Sequence, residues 1–137
     1  MPRILGVDVG TVRIGLALSD PLGITAQGLE VLDVSESSPI DAVVKRVGEH
    51  EVEEIVVGIP FRMDGSKGPE AENAEAFARD LEEATGLTVT RWDERLSTKE
   101  AARAMQAAGA DSRKQRGVID KIAAAVFLQA YLESRRT

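Results

Sequence analysis

The chain has no cysteine and a single histidine, His50. The first absence excludes disulfides, thiolate nucleophiles and cysteine-based zinc sites. The second argues against a histidine-based triad and against a multi-histidine metal centre. Aromatic residues make up only 4% of the 137, so base stacking has few candidates. No apolar run approaches the roughly 20 residues of a membrane span. Asp8 and Arg13 interrupt what would have to be the apolar stretch of a signal peptide. The expected address is the cytoplasm, with no membrane partner, and this length suits one domain over residues 1–137.

Chemistry is then left to carboxylates, hydroxyls, Lys, Arg and the backbone. Carboxylates are plentiful: 23 Asp plus Glu stand against 17 Lys plus Arg, a net charge of −6. That balance argues at first against a nucleic-acid partner. The charge is unevenly placed, however. Residues 30–83 carry 15 acids and 5 bases, whereas residues 84–137 carry 6 acids and 10 bases. A basic C-terminal third can present a local basic surface on an acidic protein, because a Debye length of about 8 Å confines each field.

Two apolar runs, Ile4–Gly10 and Arg13–Ser19, are joined by a turn short enough for a hairpin. A third run, about Gly28–Val34, follows the turn signals Asp20-Pro21 and Leu22-Gly23. Ser38-Pro39 opens a helix to about Glu51, and "EIVVGI" (54–59) reads as a strand covered on both faces. Pro69 opens a second helix with an apolar stripe of Ala74, Phe77, Ala78 and Leu81, which Gly86 stops. A fifth strand over 87–92 and helices over about Thr98–Ala108 and Val118–Ser134 complete the chain. Hairpin-linked strands followed by βαβα predict a mixed sheet of order 3-2-1-4-5, with right-handed crossovers and helices on both faces.

In "GVDVGTVRIGLALSD" (6–20) the run of small and β-branched residues is broken by Asp8, an acid that is costly in a strand. Asp8 falls near the carboxyl end of the first strand, where ligands of such sheets collect. "DER" (93–95) follows the fifth strand at the same edge. Asp120 heads the stripe Ala123, Ala124, Phe127 and Tyr131 of the last helix. Asp8, one acid of 93–94 and Asp120 could thus meet. Three such carboxylates repel one another by several kcal/mol unless cations bind, and carboxylates suit Mg²⁺ or Mn²⁺ in two-ion phosphoryl chemistry. The alternatives are structural: Asp120 as an acid in a first helical turn, and Asp93 or Glu94 as partner to Arg91 or Arg95.

Four segments, "GVDVGTVRIGLALSD", "VVGIPFRMDGSKGPEAENAEAFA", "DERLST" and "SRKQRGVIDKIAAAVFLQAYL", resemble the YqgF/RuvX family in order and spacing, from Ile4 to about Leu132. The resemblance implies an RNase H-like fold and activity as a pre-16S rRNA nuclease or a Holliday junction resolvase. The family's acidic residues carry over onto Asp8, Glu94 and Asp120 as metal ligands and catalytic residues. Asp93 is thereby left as a structural acid, pairing with an Arg or capping the next helix.

The implied reaction is metal-dependent phosphodiester hydrolysis with two Mg²⁺ or Mn²⁺ ions, Asp8 bridging them and Glu94 and Asp120 each holding one. RNA is the expected substrate, in maturation of the 5′ end of pre-16S rRNA on ribosomal precursor particles. Four-way DNA is the alternative, and an inactive nucleic-acid-binding module the less favoured one. A resolvase requires a homodimer with two-fold symmetry, whereas an RNA nuclease can work as a monomer. Arg95, Lys99 and Arg103 recur every four residues, and Arg113, Lys114, Arg116 and Lys121 crowd the approach to Asp120. With Gly10, Thr11, Arg13 and Arg62 they form the expected nucleic-acid-binding set, contacting phosphates without reading sequence.

Overall fold

The computed structural model describes residues 3–35, 38–96 and 116–135, with the side chains of 116–121 outside the description. Strands β1 (Arg3–Val9), β2 (Arg13–Ser19) and β3 (Ala26–Asp33) precede helix α1 (Pro39–Glu49). Strand β4 (Val52–Ile59), helix α2 (Pro69–Thr85), strand β5 (Thr88–Asp93), a 3₁₀ turn (Glu94–Leu96) and helix α3 (Arg116–Arg135) come next. The sheet order is β3-β2-β1-β4-β5, as the pattern of runs predicts. β2 lies antiparallel to both β1 and β3, whereas β4 runs parallel to β1 and β5.

Local chemistry sets the boundaries. The Ser38 hydroxyl accepts from the Asp41 N–H at 3.4 Å and Pro39 opens α1. Pro69 opens α2, and Gly86, in the left-handed region at φ 71°, ends it by donating to the Glu82 carbonyl at 2.9 Å. β3 begins two residues before the apolar run suggests, because its ladder with β2 continues to the Leu18–Gln27 and Ser19–Ala26 pairs, and the Ala26 N–H donates to Gln129 Oε1 of α3 at 2.8 Å. That last bond spans 103 residues in sequence, beyond any local signal. The expected helix over 98–108 lies outside the described residues.

Two apolar layers sandwich the sheet. On one face Val43 of α1 and Ala71, Ala74, Ala78 and Leu81 of α2 pack on Leu5, Val7, Ile55, Val57 and Ile59. On the other, Ala124, Ala125, Phe127, Leu128 and Leu132 of α3 pack with Ile4, Ala17 and Val56. β4 is buried from Ile55 to Ile59, which accounts for its unbroken apolar run. No helix among the described residues is long and apolar enough to cross a membrane.

Candidate active site at the carboxyl edge of the sheet

Strand parity fixes which face each acid shares. Ile4 belongs to the α3-side core, and a Cβ on Gly6 would meet Leu128 Cβ at 3.1 Å and the Ala124 carbonyl at 3.3 Å. Asp8, two residues on in β1, continues that same face and is half-buried. Trp92 of β5 also lies on the α3 face, edge-on to Tyr131 with ring centroids 5.6 Å apart. Asp93 comes next, on the opposite phase. At Glu94 the chain turns into the 3₁₀ segment and returns to the α3 face.

Gly58 stands between the two acids. It pairs with Trp92 across β4 and β5 and lies one residue past the Val7–Val57 pair of β1 and β4, level with Asp8. A Cβ there would come within 2.7 Å of Phe127 Cε2 and 3.1 Å of Glu94 Cγ. The missing side chain therefore leaves room for the Phe127 ring and for Glu94 to lean across β4 towards Asp8. A glycine inside an apolar run is a weak signal alone. Its phase, shared with Asp8, is what could have revealed it.

The adjacent acids have opposite electrostatics. Burial, then the Asp8 charge, then that of Asp93 push the Glu94 carboxyl up to about 7. Hydrogen bonds from Arg95 hold Asp93 below the usual range. Asp93 Oδ2 accepts from Arg95 Nη2 at 2.6 Å, and Oδ1 accepts from the Arg95 backbone N–H at 2.9 Å. Asp93 thus pairs with an arginine and caps the 3₁₀ turn.

Arg95 also ties down the segment after β4. Its Nη1 donates to the carbonyls of Arg62 and Met63 at 3.3 and 3.5 Å, and its guanidinium lies 5.4 Å from the Phe61 ring centroid. The segment closes on itself through the Arg62 N–H to the Ser66 carbonyl and the Gly65 N–H to the Arg62 carbonyl, at 2.9 and 2.8 Å. The Arg62 guanidinium lies against Gly68, where a Cβ would come within 2.9 Å of it. At the β1–β2 turn the Gly10 N–H donates to the Arg13 carbonyl at 3.0 Å, and a Cβ on Gly10 would lie 2.5 Å from that oxygen. Gly10 is therefore required by the turn and its N–H is engaged there, while Thr11 beside it is exposed. Arg13 stands opposite Asp33, whose carboxyl its charge helps to lower.

Asp120, Arg116 and Lys121 lie in the first turns of α3, with their side chains outside the description. The helix path is informative. Leu132 and Arg135 share a cavity wall with Arg3 and Ile4 at the start of β1, whereas Ala124 sits over Gly6. α3 thus runs antiparallel to β1, and Asp120 is one turn beyond Ala124 towards the Asp8 end. Lys99, Arg103, Arg113 and Lys114 lie outside the described residues. That cavity, of about 730 Å³, is at the far end of the sheet and is lined by neither Asp8 nor Glu94. Glu54 on its wall accepts from the Tyr131 hydroxyl and from Arg135 Nη1, the latter at 3.0 Å, a cluster that sequence reading did not single out.

The sheet order, with β4 and β5 parallel to β1 and β2 antiparallel to it, is that of the RNase H-like fold. The chain belongs to the RuvX family, whose model, described as "Holliday junction resolvase", matches residues 2–134. A Syntrophus aciditrophicus protein named "Putative pre-16S rRNA nuclease" is 47% identical over 133 residues, covering 96% of this chain and 89% of its own. A Geobacillus kaustophilus protein of the same name is 49% identical over 138 residues, covering 98% and 99%. Among solved structures, Thermus thermophilus RuvC bound to a Holliday junction substrate superposes with a TM-score of 0.63 at 17% identity, covering 99% of this chain and 96% of that one. The fowlpox virus Holliday junction resolvase gives 0.56 at 15% identity, covering 96% and 99%. Membership of this family makes the chain a nuclease that hydrolyses phosphodiester bonds.

Proposed function

We propose that the protein is a divalent-metal-dependent nuclease acting on RNA, in maturation of the 5′ end of pre-16S rRNA, with Asp8, Glu94 and Asp120 as its catalytic acids. The observation that carries this reading is the pairing of Asp8 and Glu94 on one face of the sheet across Gly58, beneath the helix that bears Asp120. Relatives named as pre-16S rRNA nucleases support RNA as the substrate.

The donor set fits a hard cation. It offers carboxylate oxygens and no sulfur, and the two acids stand close enough for Asp8 to raise Glu94. Mg²⁺ or Mn²⁺ held by Asp8, Glu94 and Asp120 would supply an activated water and stabilise the leaving 3′ oxygen. The chain's own residues do the rest. Gly58 lets Glu94 reach the Asp8 side of β4, and Phe127 closes the floor against water. Arg95 binds the Asp93 carboxylate and holds the Arg62–Met63 segment beside it. Arg62, Lys99, Arg103, Arg113, Lys114, Arg116 and Lys121 would meet backbone phosphates, with the exposed Thr11 at the β1–β2 turn.

The test is cleavage of a 5′-extended 16S rRNA precursor, run beside a four-way DNA junction at equal salt. Cleavage of the RNA with Mg²⁺ or Mn²⁺, lost in chelator and in Asp8→Asn, is expected. Symmetric junction resolution without RNA cleavage would reverse the substrate assignment in favour of the family's resolvase description. Full activity in excess chelator would overturn the metal site.

A further inference from the structure

Met63 is 97% exposed, although it sits in a segment that is firmly held. Asp64 Oδ1 accepts from the Ser66 N–H at 2.9 Å and from its hydroxyl at 2.6 Å, and Arg95 Nη1 donates to the Met63 carbonyl at 3.5 Å. The segment leaves β4 at Ile59, directly after the glycine that separates Asp8 from Glu94. Cations flank it: Arg62, Arg95, and Lys67, whose Nζ lies 6.0 Å from the Phe61 ring centroid and 3.1 Å from Glu75 Oε1. A pinned apolar tip among cations, next to an acidic centre, is poorly explained by solubility or by the core.

We infer that Met63 is a contact for the face of one unstacked nucleobase, next to the phosphate presented to Asp8 and Glu94. The inference rests on the nuclease reading and specifies its substrate as a segment with unpaired bases. A duplex shows proteins its backbone and base edges, while the base faces are stacked out of reach. A single strand exposes those faces. An unbranched, polarizable thioether adapts to any of the four, giving contact without sequence preference. The neighbouring cations supply the phosphate attraction, and the hydrogen bonds that hold the loop reduce the ordering cost of binding.

The experiment uses the full chain in an Asp8→Asn background, so that RNA is bound without being cut. The probes are a single-stranded RNA carrying 2-aminopurine and the same sequence as a blunt duplex. Met63→Ala is expected to weaken single-strand binding by about five- to tenfold, the lower end of base-face contacts. It should also reduce the fluorescence change, while leaving duplex affinity and the salt slope unaltered. Met63→Leu should bind within about twofold of the parent, since an apolar tip is kept. Met63→Ala binding the single strand as well as the parent does, or losing both strands equally, would overturn the inference while leaving the nuclease reading in place. A parent that binds neither strand would overturn both, and that result is distinct from the others.

Discussion

The ring of Phe127 rests on the bare backbone of Gly58, at the point where Glu94 leans across β4 towards Asp8. Phe127 is only 1% exposed, so it has nowhere to retreat if a methyl group is added at position 58. Gly58→Ala is therefore expected to cost about 1–3 kcal/mol by overpacking. It should also reduce cleavage beyond what the lost stability explains, because the same Cβ crowds Glu94 Cγ. Trimming the ring in Gly58→Ala/Phe127→Leu should recover part of the stability, with a coupling of about 1 kcal/mol in a double-mutant cycle. Denaturant melts and turnover on the four proteins check this; simple additivity would show that the ring does not set the space at Gly58.

Glu94 makes stability depend on pH. Its carboxyl is pushed up to about 7 in the folded chain, so between about 4.5 and 7 the folded state binds more protons than the unfolded one. Stability is thus fullest below about 4.5 and is withdrawn as pH rises through about 7, by at most about 3 kcal/mol for this group. Glu94→Gln in chelator should melt above the wild type at pH 8 and should lose that advantage near pH 4.5. Adding Mg²⁺ at pH 8 should raise the wild-type Tm and leave that of Glu94→Gln nearly unchanged. An equal rise in both would mean that Glu94 is not a ligand.

Asp93 and Glu94 separate by function. Asp93 is committed to Arg95, through which it holds the segment after β4. Asp93→Asn should cost about 1 kcal/mol in stability from weakened charge-assisted bonds and leave most of the turnover. Glu94→Gln should lose nearly all metal-dependent turnover. Arg95→Ala should cost at least as much stability as Asp93→Asn, since it also removes the bonds to the Arg62 and Met63 carbonyls and the contact with Phe61. Adding Asp93→Asn to it should cost little more, the shared interaction being already gone. Equal activity losses in Asp93→Asn and Glu94→Gln at unchanged stability would show that the two acids act as a unit.

Most of the sheet was legible because its connections are short and its strands are punctuated. Gly10 marks a hairpin, Pro69 and Gly86 bracket a helix, and Ile55–Ile59 reads as a central strand through its unbroken burial. Asp8 was legible for the opposite reason, as an acid where a strand should be apolar. The choice between Asp93 and Glu94 was not legible from alternation, since the chain leaves the strand between them and enters a 3₁₀ turn. Nor was the role of Gly58, because what it provides is space, and space depends on Phe127 arriving from 69 positions further along the chain. The Glu54–Tyr131–Arg135 cluster is illegible in the sequence for the same reason, its members being contributed by β4 and α3.

Gly6 tests the approach of Asp120. It seats α3 on β1: a methyl group there would press on Leu128 Cβ at 3.1 Å and on the Ala124 carbonyl at 3.3 Å. The carbonyl belongs to helix backbone and cannot rotate away, so α3 itself must shift by a few tenths of an ångström. Asp120 lies one turn from Ala124, on the end of α3 that points towards Asp8. Gly6→Ala should therefore act mainly on the separation between Asp120 and the pair on the sheet. Stability is expected to fall by about 1–2 kcal/mol, as for other small overpacking changes. Mg²⁺ should bind more weakly than that loss accounts for, seen as a smaller Tm rise at saturating ion. Asp120→Asn should diminish the Tm rise in the wild-type background and diminish it by less in Gly6→Ala, because both changes act on the same ligand. A Gly6→Ala protein that melts lower but retains the full Mg²⁺-induced rise would show that the helix places no ligand at this edge, and would leave Asp8 and Glu94 to hold the ion alone.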